Sequence, residues 1–133
     1  MTPGATHLGF GHVNGSTVSS GNSVVTSVTS GSTLAGNTVD VVVISGATFA
    51  NAAALATALK TGTFALNFSA VQNAATFEHL LFAYNDSSGN AHIADVAINN
   101  AASASFAAQL QVIASDMVQL TGVSAASLTG ANV

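Results

Sequence analysis

The apolar positions of this chain fall into short runs separated by Gly, Ser, Thr and Asn, and one run, 49–61, carries the clearest three-and-four spacing of a helix. The most strongly patterned stretch is 78–99. Two runs rich in apolar and aromatic residues, 80–84 and 93–98, flank the polar segment Asn85-Asp86-Ser87-Ser88-Gly89-Asn90. Strand formers, a turn of Asn, Asp, Ser and Gly, then strand formers again predict a β-hairpin. Asp86 can accept a hydrogen bond from backbone two residues on, and Gly89 can take the positive φ that closes the loop. Pairing Tyr84 with Ala91 places Leu80, Phe82, Tyr84 and Ile93 on one face. The other face then carries Leu81, Ala83, Ala94 and Val96. Neither face is polar, so the hairpin is expected to be covered on both sides.

Val39 to Ile44 is the strongest single strand, ended by Ser45-Gly46. Thr48 is the expected cap of an Ala-rich helix over about 49–61, in which Phe49, Ala52, Ala53, Ala56 and Leu59 share a face. Lys60 lies in its last turn, where a cation suits the helix dipole, and Gly62 stands at the expected C′ position. Thr63 to Phe68 alternates, with Phe64, Leu66 and Phe68 on one side, and reads as a strand. Beyond the hairpin, 107–112 is compatible with a helix, but Leu110, Val112 and Ala114 alternate with their neighbours. The favoured reading is two strands, 108–114 and 117–120, separated by Ser115-Asp116. A turn at 124–128 follows, with Leu128 and Val133 closing the core.

Residues 1–38 differ in character. Glycines punctuate runs of Ser, Thr, Val and Asn, with short strands expected at 16–19 and 23–29. The boundary is therefore set at a Gly/Ser/Thr-rich arm, 1–38, followed by a β-rich globular domain, 39–133. The arm contains no gatekeeping charge, so Val18, Val24, Val25 and Val28 are the candidates for adding a strand to a neighbouring copy's sheet. The fold class expected is mainly β, a β-sandwich or partly rolled sheet with one Ala-rich helix.

Composition sharpens the functional classes. Among 133 residues there is one basic side chain, Lys60, against five acidic ones, and charged residues make up 5%, where an ordinary soluble domain carries about a quarter. Nucleic-acid binding needs several Lys or Arg to displace counterions, and this chain has one. The same shortage argues against anionic membranes, and no apolar run is long enough to insert. A surface with so little charge has little to hold copies apart, which permits ordered self-association. Cysteine is absent, which suits a chain folded outside the cell without disulfides. The start, Met1-Thr2-Pro3-Gly4, carries neither the basic nor the apolar part of a secretory signal.

Candidate chemistry is sparse. His7, His12, His79 and His92 lack the convergent Cys, His or carboxylate partners of a zinc site, so structural or surface roles are expected. The loop around Asp86 and Asn90 places oxygen atoms at alternate positions, as a Ca²⁺ loop does, but with one carboxylate where such loops use several. Turn chemistry explains the same residues, and both readings stand at this level. Paired catalytic carboxylates, a hydrolytic triad, a P-loop and a dinucleotide fingerprint are all missing, so no enzyme activity is expected.

The runs HLLFAYNDSSGNAHIADVAINN and SDMVQLTGVSAASLTGANV, with the strand-helix pair 39–62, resemble the C-terminal modules of type I secretion substrates of Gram-negative bacteria. These include repeats-in-toxin, surface-layer and adhesin proteins, and the likeness covers about residues 39–133. It implies export without a cleaved N-terminal signal and an extracellular or cell-surface location. The Gly-Asp nonapeptides that bind calcium in the β-roll of that family are missing here, so calcium-dependent folding does not carry over. The expectation is an extracellular structural subunit, partnered by other copies of itself in a fibre, surface layer or matrix. The alternative is a secreted calcium- or glycan-binding adhesin module.

Overall fold

A computed structural model describes residues 25–34, 41–68, 77–99 and 104–129. The fold is mainly β with one helix. Its elements are β1 (Val25–Val28), β2 (Ser32–Leu34), β3 (Val41–Thr48), α1 (Ala52–Thr61), β4 (Leu66–Phe68), β5 (Phe77–Asn85), β6 (Ala91–Asn99) and β7 (Gln111–Leu120). Five strands form one mixed sheet in the order β1-β3-β5-β6-β7, and β2 pairs with β4 in a small second sheet. β1 and β5 both run parallel to β3, whereas β5, β6 and β7 form an antiparallel meander. The chain therefore leaves the large sheet after β3, builds α1 and β4 as a covering layer, and returns for the meander.

The covering layer explains where the apolar residues go. α1, β2, β4 and a 3₁₀ turn at Phe106–Ala108 lie over one face of the sheet, enclosing Phe82, Tyr84, Leu55, Leu59, Leu66 and Phe106. Phe106 stacks on Phe68 at 4.7 Å between ring centroids and meets Phe82 edge-on at 6.0 Å. On the opposite face Val41, Val43, Leu81, Ala83, Ala91 and Ile93 pack under Ala125 and Leu128 of the carboxyl-terminal turn. The hairpin is thus covered on both sides.

Several expectations need correction. The closing pair of the hairpin is Asn85 with Ala91, so Tyr84 pairs with His92 and Phe82 with Ala94. That one-residue change turns β6 over: Ala94, Val96 and Ile98 join the face of Phe82 and Tyr84, and Ile93 moves to the other. The helix starts later, with Asn51 as its cap; Asn51 Oδ1 accepts from Ala54 N–H at 2.9 Å. Thr48 still belongs to β3, because Gly46, at φ 76°, passes the strand through a bulge. Phe49 N–H then donates to Asn85 O at 3.0 Å. The two strands expected on either side of Ser115-Asp116 are one, β7, bulged at Met117 where Ile93 pairs with Val118 and Ala94 with Asp116. Residues 106–108, expected partly as strand, form the 3₁₀ turn.

Part of the 1–38 stretch lies within this chain's own sheets. β1 and β2 lie in the stretch assigned to the arm, yet Val28 is 3% and Leu34 2% exposed within this chain's own core. Val25 and Val28, offered as residues for a neighbour, pair with Val41 and Ile44 of the same chain. Val18 and Val24, the expected strand at 16–19, His7, His12 and the closing Val133 lie outside the described residues.

Candidate functional site: the helix-flanked edge of the sheet

β7 ends the five-stranded sheet and carries no further strand on its outer side among the described residues. Ten residues long, it is the most exposed strand described. Ile113 is 51%, Met117 55% and Val118 40% accessible, and Leu110 just before it 66%. Natural edges are usually protected by Lys, Pro or a covering element. The single charge on β7 is Asp116. With no described strand on that side, the outward backbone N–H and C=O groups of β7 can accept one.

α1 stands beside this edge. An open groove of about 370 Å³ separates the helix residues Ala53, Ala56, Thr57 and Thr61 from Val112 to Ala114 of β7, with Lys60 at one end. The helix wall is low because its side chains are small. Thr57 Oγ1 and Thr61 Oγ1 donate to the carbonyls of Ala53 and Thr57, each at 2.9 Å, so these hydroxyls are already engaged within the helix. An apolar trough with engaged polar atoms beside an unpaired edge is a geometry suited to an extended peptide.

Polar ties fix the helix to the edge at both ends. At its start, Asp116 reaches across from the β7 bulge: Oδ2 accepts from Ala52 N–H at 3.0 Å, and Oδ1 accepts from the Tyr84 hydroxyl at 2.6 Å. At its end, Lys60 Nζ donates to the carbonyls of Ala107 and Gln109, just before β7. The one basic side chain of the protein is thus spent on closing a helix and holding the approach to the edge strand.

Tyr84 is fully buried, and its phenol is pushed well above the ordinary tyrosine range. Burial is the main cause, followed by the bond to Asp116 and the negative charges of Asp116 and Asp86. His92 stacks on Tyr84 at 5.0 Å between centroids. Its Nε2 lies 3.4 Å from Asp86 and its Nδ1 3.4 Å from Asp116. The Nδ1 contact is close enough for an ion pair but not aligned for a hydrogen bond. On the opposite face and further along the hairpin, His79 Nδ1 meets Asp95 at 2.9 Å on the surface.

Asp86 and Asn90, the calcium candidates, do come together, but around each other. The Asp86 carboxylate accepts from Ser88 N–H at 2.8 Å, Asn90 N–H at 3.0 Å, Asn90 Nδ2 at 3.2 Å and Gln119 Nε2 at 3.2 Å. These donors, the Asn90 N–H foremost, hold its carboxyl down to about 2 against the opposing effect of burial. Asn90 Oδ1 in turn accepts from Gly122 N–H at 3.0 Å. Oxygen atoms ringed by N–H donors face the positive ends of dipoles, the reverse of what a cation needs. Among the described residues no group of three or more His, Asp or Glu converges as a metal site. No described helix is long and apolar enough to cross a membrane.

The loop's role is instead to bind the hairpin to the end of β7. Asn85 Oδ1 accepts from Ala125 N–H at 2.8 Å, and Val123 O accepts from Ala91 N–H at 2.7 Å. The edge strand is therefore tied at both ends, while its outer side is open among the described residues. Of the features here, sequence reading found the Lys60–Gly62 helix end and the Asp86 turn. It missed Asp116, whose signal was an acidic residue at the interruption of an apolar alternation. Comparisons of the chain with protein-family models, with characterised proteins and with solved structures give no match.

Proposed function

We propose that this protein is an extracellular structural subunit that self-assembles into a fibre, surface layer or matrix. The observation carrying this reading is β7, a ten-residue edge strand, open among the described residues, with Ile113, Met117 and Val118 exposed and a single charge. In an isolated chain such an edge is a hazard; in an assembling one it is a joint. The scarcity of charge across the molecule supports it, since contact between copies then costs little desolvation and meets little repulsion. The likeness of residues 39–133 to type I secretion modules favours a location outside the cell.

Sedimentation velocity and light scattering across a concentration series test the reading, with negative-stain micrographs of the heaviest fraction. The mass is expected to rise with concentration, and Ile113→Lys, at an exposed position of β7, to hold it near that of one chain. A single compact species at millimolar concentration would overturn the proposal.

A further inference from the structure

We propose that the groove between α1 and the outer edge of β7 receives residues 16–24 of a second copy, added to β7 as a sixth strand. The proposal rests on the self-assembly reading and supplies its joint. Four observations identify the occupant. First, length: β7 has ten residues, and nine extended residues span about 30 Å, nearly the same length. The strand at the other end of the sheet, β1, has four residues and would leave most of β7 uncovered.

Second, chemistry: Ser16-Thr17-Val18-Ser19-Ser20-Gly21-Asn22-Ser23-Val24 has no charged residue. It suits a trough of Ala and engaged Thr, where a buried charge would be costly. Third, direction: residue 24 is joined by its peptide bond to Val25 of β1, at the far end of the sheet from β7. Four strand spacings separate the two edges, roughly 19 Å. A segment joined to β1 without a linker cannot lie along its own β7, so its acceptor is another molecule. Fourth, closure: β1, to which the donor segment is joined, and the acceptor β7 end the sheet on opposite sides, so the contact is heterologous and repeats from copy to copy.

Complementation between two full-length variants tests this. Val18→Lys places a charge in the donor segment, and Thr57→Arg fills the acceptor groove from an exposed position on α1. Circular dichroism and a cooperative thermal transition confirm that each is folded; Ala53→Arg serves as a second groove variant. Each variant alone is expected to remain a single chain, while an equimolar mixture doubles in mass and stops there. In the mixture, the intact segment of the groove variant enters the intact groove of the other. Since the donor segment carries no charge to pair with Lys60 or Asp116, the mass is expected to change little between 50 and 500 mM salt.

If the wild type assembles and the groove variants assemble equally well, the joint lies elsewhere and the inference fails while the self-assembly reading survives. If groove variants block assembly but Val18→Lys does not, the occupant is another segment and the inference fails. If the wild type itself stays a single chain, both readings fall together.

Discussion

The tie at Asp116 can be taken apart with two substitutions. Asp116→Ala strands two donors at once. The Tyr84 hydroxyl, fully buried, loses the partner it holds at 2.6 Å, and Ala52 N–H loses its acceptor at 3.0 Å. A stranded buried hydroxyl costs about 2 kcal/mol, and an uncapped first-turn N–H about 1 kcal/mol. Tyr84→Phe removes the donor but leaves the carboxylate its helix N–H and access to water, at a cost of about 1.5 kcal/mol. In the Asp116→Ala background Tyr84→Phe is expected to be neutral or stabilising, because it removes the stranded hydroxyl. The cycle should therefore show a coupling of about 1.5 kcal/mol or more. Urea denaturation followed by far-ultraviolet circular dichroism measures all four proteins without depending on the single tyrosine. Strictly additive costs, or Tyr84→Phe costing more than Asp116→Ala, would refute the tie.

Other outcomes follow from the same geometry. In the folded chain the Asp86 carboxyl titrates at about 2, so its contribution to stability is complete above the ordinary carboxyl range and is lost as pH falls towards 2. Urea midpoints between pH 5 and 2.5 should drop more steeply for wild type than for Asp86→Asn; parallel slopes would count against the donor ring. The Tyr84 phenol is raised, so the opposite sign applies: its contribution is constant below about pH 10 and is lost above it, as the unfolded phenol ionises. With one Tyr and no Trp in the chain, absorbance at 295 nm reports this group alone. A reversible titration near pH 10 with the fold intact would contradict the burial. Phe106→Ala removes a ring held between Phe68 and Phe82 and should cost about 3–5 kcal/mol by denaturant titration. Gly62→Ala meets only ordinary contact with Ala107 at 3.7 Å, so its cost of about 1 kcal/mol should come from the left-handed backbone at φ 77°.

Local signals explain what could be read from the sequence. The end of α1 was legible because Lys60 and Gly62 mark a helix terminus by their own chemistry, independent of the rest of the fold. The hairpin was legible because strand formers flank Asp86 and Gly89. Its register was not, since a five-residue loop and a six-residue loop fit the same letters, and the choice is made by Asp86 N–H donating to Asn90 O. β7 was divided because a bulge, seen in sequence, looks like a turn. The membership of β1 in the main sheet is a long-range pairing with β3, and Val-Thr-Ser-Val reads alike whether its partner is in the same chain or another. The groove had no sequence signal, because it arises from two elements more than fifty residues apart.

Lys60 has a consequence outside the fold itself. It is the single Lys or Arg in 133 residues, so a trypsin-like protease has one bond to attack, Lys60–Thr61. That bond lies in the last helical turn, with the lysine amine bonded to the carbonyls of Ala107 and Gln109. Cleavage must wait for the helix end to open, so digestion rate reads the free energy of that opening. Even a completed cut leaves two large fragments. Against a trypsin-like protease, a chain built this way keeps long pieces where an ordinary domain would be reduced to short peptides.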